Sequence, residues 1–199
     1  MNYIKAIIQK GIMKFIILAV FLLLQLVGTN AQPIIHLLDT QNRQPIGKYT
    51  SYLRDANNDD IQKILQPEVQ SQFKLYEQDA PNFGSTADAV WLKFNVIKDT
   101  AKEFYLQIGS AFIDSIALYA VSNNTVKEIQ LSGDNYVFSQ RPVKVTTFLF
   151  PLNVPVGASQ TYFLRAKTMQ PFFFQLHVGT LTAFIEDTHK LDFIQGIYL

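Results

Sequence analysis

A chain of 199 residues with 48% hydrophobic and 17% charged side chains is long and apolar enough to bury a sizeable core, which excludes wholesale disorder. Its net charge of +1 comes from 17 basic and 16 acidic residues; the first 31 residues hold Lys5, Lys10 and Lys14 and no acid, so the remainder carries 14 basic against 16 acidic groups. That near-neutral body gives no electrostatic basis for binding nucleic acid, and the lack of cysteine excludes disulfide scaffolds and thiol catalysis.

The chain opens with a segment that predicts export. Lysines precede an apolar run over 15–24, and small residues close the segment at Thr29-Asn30-Ala31. This order is the pattern of a secretory signal peptide, so residues 1–31 are expected to be a leader cleaved after Ala31. An uncleaved anchor helix is the alternative. It is disfavoured because the run is short for a bilayer span and polar residues follow at once. A body of about 168 residues buries roughly 70% of its unfolded surface and holds together without disulfides. An exported domain without cysteine fits a bacterial envelope.

Short apolar or alternating runs then recur over 34–38, 49–53, 89–97, 103–108, 115–121, 126–131, 146–154, 161–167 and 171–178. The breaks between them, such as "KDTAK", "VSNNT", "SGDN" and "KTMQP", are rich in turn-forming residues. Asn123-Asn124-Thr125 also matches a glycosylation sequon, but in this setting it reads as a polar turn. One short helix is predicted over 59–65, capped by Asp59, with Ile61, Ile64 and Leu65 on its apolar side. The expected fold is mostly β: an antiparallel β-sandwich, jelly-roll-like, with one short helix and a helical C-terminal tail. The domain is expected to span 32–180, with 181–199 as a linker.

The run over 89–97 raises a question. Val90, Leu92, Phe94 and Val96 share one face and form an evident core face. The other face carries the only tryptophan, Trp91, beside Lys93 and Asn95. Such a face belongs to water unless something covers it or a ligand uses it.

A search for catalytic groups finds little. His36, His177 and His189 are far apart and lack metal-ligand spacing. There is no nucleophile-elbow pattern and no Gly-rich phosphate loop. Asp114 and Asp134 could converge as a carboxylate pair but read better as turn residues. No catalytic residue, metal ligand or cofactor is therefore expected.

A series of motifs points to a family. "YLRDANNDDIQKIL" comes first, then Asn82-Phe83-Gly84 and Trp91-Leu92-Lys93-Phe94. Tyr105-Leu106-Gln107-Ile108, Ile113-Asp114-Ser115-Ile116-Ala117-Leu118-Tyr119, Gly133 and Arg141 follow. Phe148-Leu149-Phe150-Pro151-Leu152 and Tyr162-Phe163-Leu164-Arg165 complete the series. In order and spacing it resembles the type 2 extracellular domain of bacterial seven-transmembrane receptors with diverse intracellular signalling modules. Lys93 stands where that family usually has Arg. The resemblance implies a periplasmic or extracellular jelly-roll-like sensor, similar to carbohydrate-binding modules, for a small-molecule or carbohydrate ligand. It also implies a following membrane bundle and a cytoplasmic output module, such as a histidine kinase or nucleotide cyclase. "LDFIQGIYL" at the end looks like the approach to a first membrane helix, so a truncated receptor is expected.

The ligand-binding candidates are Trp91, Lys93, Arg141 and Arg165. An indole stacks on a sugar ring, and Lys93 donates to hydroxyls or a carboxylate. Against this, Trp91 could cover the outer sheet face with Lys93 stacked on it as a cation–π pair. Arg141 and Arg165 could equally serve in surface or inter-strand ion pairs. Three functions remain open: a sensing ectodomain, a secreted carbohydrate-binding or adhesion module, and a jelly-roll hydrolase.

Overall fold

The computed structural model describes residues 32–186, apart from 40–42, 111, 146 and 174, together with the single residue Lys14. The chain divides into two compact units, Met1–Ala31 and Gln32–Leu199. The predicted leader lies outside the described residues, as does the tail beyond 186.

Thirteen strands form among the described residues. In chain order they are β1 (Ile34–Leu37), β2 (Arg43–Pro45), β3 (Ser51–Asp55), β4 (Lys74–Leu75), β5 (Asn82–Gly84), β6 (Ala89–Lys98) and β7 (Tyr105–Ile108). After these come β8 (Ser115–Ser122), β9 (Thr125–Ser132), β10 (Phe148–Pro151), β11 (Ser159–Lys167), β12 (Phe172–Phe173) and β13 (Leu176–Gly179). A seven-stranded sheet runs β4-β3-β6-β11-β8-β9, with β1 also on β6. A four-stranded sheet runs β10-β7-β13-β2, and β12 pairs with β5 separately. The pairing is antiparallel throughout except for β1 with β6, which is parallel.

Alternation builds the core as expected. Val90, Leu92, Phe94 and Val96 of β6 turn inward with Tyr162, Leu164 and Ala166 of β11 and Ile116 and Leu118 of β8. They meet Leu106 and Ile108 of β7, Phe148 and Phe150 of β10, and Leu176 and Val178 of β13. Each large apolar side chain buried here contributes about 1.5–3 kcal/mol. Phe94 and Tyr162, directly opposite in register, stack at 5.4 Å.

Three local features depart from the sequence expectation. The helix near residue 60 is capped by Asp60, whose Oδ1 accepts from the Lys63 N–H at 2.9 Å, rather than by Asp59. It is two pieces, Ile61–Ile64 and Pro67–Gln70, because Pro67 restarts the helix where its missing N–H costs nothing. The run predicted over 171–178 is two strands: Phe172 turns into the core against Phe83 at 6.0 Å and pairs with β5, while Leu176–Gly179 pairs with β7. Residues 181–186 are helical, as expected of the tail.

Two turns show why their residues are there. Asn123 and Asn124, at φ of 49° and 57°, make the two-residue turn between β8 and β9, the conformation a tight hairpin needs and asparagine tolerates. Gly133 follows β9 at φ 124°, and a Cβ there would meet the Asp114 carbonyl oxygen at 2.6 Å.

Candidate functional site

The outer face of the seven-stranded sheet gathers three of the four residues singled out in the sequence. Register decides who meets whom. Across one row lie Leu53, Trp91, Arg165, Ala117 and Leu131; across the next lie Ser51, Lys93, Phe163, Tyr119 and Ile129. The strands thus place Arg165 beside Trp91 and Lys93 beside Phe163.

Trp91 is fully buried. The two short helices lie over it, and Ile61, Ile64, Leu65 and Val69 form a second apolar cluster with Trp91, Val121 and Phe163. The indole Nε1 donates to the Asp55 Oδ2 at 3.1 Å, inside the protein. An indole held in this way does not stack on a ligand, so of the two readings the packing one describes Trp91. The cation over it is the Arg165 guanidinium, 6.0 Å from the ring, and not Lys93 as expected. Lys93 instead lies 5.7 Å over Phe163 and donates to the Gln70 Oε1 at 2.8 Å. It ties the helical cover to the sheet, and burial holds its ammonium below the ordinary lysine value.

Arg165 opens the more accessible part of this face. Its Nη2 donates to the Asn58 Oδ1 at 3.2 Å, and the Lys167 Nζ donates to the same oxygen at 2.7 Å. Asn58 sits in the left-handed region at φ 56° in the loop that enters the helices. Among the described residues, no carboxylate lies within ion-pair distance of Arg165 or Lys167. Tyr119 borders them, its ring 5.6 Å from Trp91. Burial raises the Tyr119 phenol above its ordinary value; the Arg165 charge opposes this, and Tyr136 and Asp60 add to it. Arg165, Lys167, Asn58 and Tyr119 thus share one neighbourhood, and Tyr136 and the Asp60 carboxylate act on Tyr119.

Arg141 acts elsewhere. Its side chain is only 12% exposed, pairs with Asp134 at 3.7 Å and donates to the Val145 carbonyl at 3.1 Å. Its guanidinium lies 4.6 Å over Phe148 and 5.2 Å over Phe138. These contacts order the connection between β9 and β10.

The remaining polar groups serve the fold. Asp114 Oδ2 accepts from the Met169 N–H, and Asp134 is engaged by Arg141, so the two acids are held separately. His36 faces Asp99 at 3.7 Å, and His177 lies 3.4 Å from Arg43, which donates to Gln107. His189 lies outside the described residues. Among the described residues, no group of three or more His, Asp or Glu side chains could hold a metal ion, and no helix is long and apolar enough to cross a membrane.

The sequence missed Asn58, Lys167, Tyr119 and Tyr136. A signal existed for Lys167, which lies two residues after Arg165 and so on the same strand face. None existed for Asn58, which reaches the pair from 107 residues away in the chain.

Two packed sheets, with a cationic and aromatic rim on one outer face, make the domain an antiparallel β-sandwich. The family model described as 7TMR-DISM extracellular 2 matches residues 47–180, and the chain belongs to that family. The domain is therefore an extracellular domain of seven-transmembrane receptors, which suits a sensory role, and it works on the outer side of the cell membrane. No curated protein matches the chain at a significant level.

Proposed function

We propose that this domain is the ligand-sensing ectodomain of a bacterial signalling receptor, without catalysis of its own. Its ligand is a small molecule or carbohydrate carrying a carboxylate, phosphate or sulfate group, bound over Arg165 and Lys167. The observation that carries this reading is the pair of cations on one strand face, served by the single neutral oxygen of Asn58 and by no carboxylate. An anion replaces that contact with charge-assisted hydrogen bonds, each worth about 1.5–3 kcal/mol. Tyr119 and Tyr136 offer hydroxyls and ring faces to the rest of the ligand. Trp91 acts from beneath, as the packed floor that fixes Arg165.

The same geometry gives sensing a route. Asn58 belongs to the loop that leads into the two helices, and Asp60 caps the first of them. An anion that draws Arg165 and Lys167 away from Asn58 releases this loop and favours a different placement of the helical cover. The output module beyond the membrane then reads that shift.

Calorimetric titration tests the proposal, with glucuronate, inorganic sulfate and neutral glucose as probes. The anions are expected to bind and glucose is not. Arg165→Ala should weaken anion binding roughly tenfold to a hundredfold. Equal affinity of parent and variant, or binding of glucose alone, would overturn the reading.

A further inference from the structure

β3 is covered on both sides along only part of its length. On one side β6 pairs with all of it, from Ser51 opposite Lys93 to Asp55 opposite Ala89. On the other side β4 covers two residues, with Leu75 opposite Ser51 and Lys74 opposite Tyr52. The chain ahead of Lys74 leaves the sheet: Phe73 packs edge-on against Phe163 at 6.0 Å on the outer face, and Ser71 closes the helix Pro67–Gln70. Backbone direction shows what this leaves open. The Tyr76 N–H donates to the Thr50 carbonyl at 2.9 Å, so Thr50 turns its backbone groups toward the β4 side. Strand alternation then points the N–H and C=O of Tyr52 and Arg54 the same way. Lys74 meets Tyr52, but among the described residues none pairs with Arg54 on that side. The Arg54 backbone groups face a slot of about 500 Å³ lined by Tyr52, Leu53, Arg54, Ser71, Gln72 and Lys74.

We propose that this slot captures the C-terminal end of an extended peptide, which adds to β3 in line with β4. The line ahead is already filled by β4, so an added strand must stop at Lys74. Direction decides which end stops there. A strand antiparallel to β3 enters beside Asp55, runs past Arg54 and brings its C-terminus to Lys74. A parallel strand brings its N-terminal ammonium to the same lysine and is repelled. Charge favours the first arrangement. Lys74 and Arg54 stand on the same strand face as Tyr52, and among the described residues no carboxylate lies within ion-pair distance of either. The Arg54 guanidinium is held in place, its Nη2 donating to the Phe83 carbonyl at 2.8 Å and its carbon 5.8 Å over the Phe83 ring, and it keeps further N–H donors. Tyr52, packed on Tyr76 and Phe83 at 5.6 and 5.3 Å, supplies an apolar wall. The last residue of the peptide pairs with Arg54. Its N–H donates to the Arg54 carbonyl, and its carboxylate accepts from the Arg54 N–H and the Lys74 ammonium. The slot has the size of a small-ligand site, so it takes a few residues and not a folded partner.

The probe is acetyl-Thr-Val-Val with a free C-terminal carboxylate, a sequence that favours extended backbone, titrated into the full chain and followed by backbone amide NMR. The Arg54 amide should shift most, and saturably, with Tyr52 and Lys74 following. The C-terminal amide of the same peptide should bind about tenfold or more weakly. Methylation of its last peptide nitrogen should abolish binding, because it removes the N–H that reaches the Arg54 carbonyl. Lys74→Ala truncates an exposed side chain and should weaken binding of the free acid about threefold to tenfold. Equal affinity for acid and amide overturns the capture of a carboxylate. Acetate alone, shifting the same amides with the same affinity as the peptide, overturns strand addition. Shifts centred on Arg165 and Lys167 overturn the slot by assigning the carboxylate to the other pair of cations. The absence of any saturable shift at about 5 mM peptide overturns the proposal outright.

Discussion

Replacing Trp91 with alanine removes the largest fully buried side chain among the described residues. Truncating a buried tryptophan costs about 3–5 kcal/mol. The change also strips the Asp55 carboxylate, 5% exposed, of its indole donor, although the Asn57 N–H still reaches it at 3.0 Å. Losing a buried partner adds about 1–3 kcal/mol. The combined loss of about 4–8 kcal/mol is comparable with the whole stability of a small domain. Trp91→Phe keeps much of the packing, since it leaves an aromatic ring under the helices while removing the N–H and part of the indole's volume. It should cost about 1–3 kcal/mol, or roughly 2–12 °C of melting temperature for a domain of this size. The assay is urea denaturation followed by far-UV circular dichroism, with midpoints compared at constant slope. Asp55→Ala in the Trp91→Phe background should then add less than it does in the parent, because their shared bond is already gone. Stability within about 1 kcal/mol of the parent for Trp91→Ala would refute the buried placement of the indole and return it to the surface.

Gly133→Ala should cost more than about 2 kcal/mol by thermal melting, because the new Cβ meets the Asp114 carbonyl in a backbone conformation that alanine avoids. Lys93→Ala should cost about 1–2 kcal/mol through the lost bond to Gln70 and the lost stack on Phe163, and Gln70→Ala should give a similar, non-additive loss. Burial first, and the Glu128 carboxylate second, push the Tyr162 phenol well above its ordinary value of 10. The native state therefore keeps this proton while the unfolded chain releases it. Its stabilising contribution is full below pH 10 and is lost as pH rises beyond that value. Tyr162→Phe should flatten the fall in stability above pH 10 while changing stability at neutral pH by under about 1 kcal/mol.

Much of the fold was legible because it rests on alternation. The inner face of β6 and the faces of β11 can be read residue by residue, and Asn123-Asn124 announces its own hairpin. The cover over Trp91 was not legible in full. It is made by two four-residue helices, too short to print a convincing helical period, and only Ile61, Ile64 and Leu65 hinted at it. The short strands β4 and β5, of two and three residues, carry no pattern at all. The site depended on register. Knowing that Trp91 and Arg165 each face outward does not tell which cation lies over which ring; that follows only once β11 is set against β6. Arg141 looked like a surface arginine because sequence does not reveal that its loop folds the guanidinium onto Phe148.

The claim that an anionic ligand is sensed over Arg165 and Lys167 is tested most directly by nitrogen-resolved NMR during a glucuronate titration. The account predicts that the Asn58 side-chain amide and the Arg165 guanidinium shift together and saturably, with the backbone amides of residues 56–60 following as the loop is released. Saturable shifts confined instead to Gln107 and His177, on the outer face of the four-stranded sheet, would contradict it.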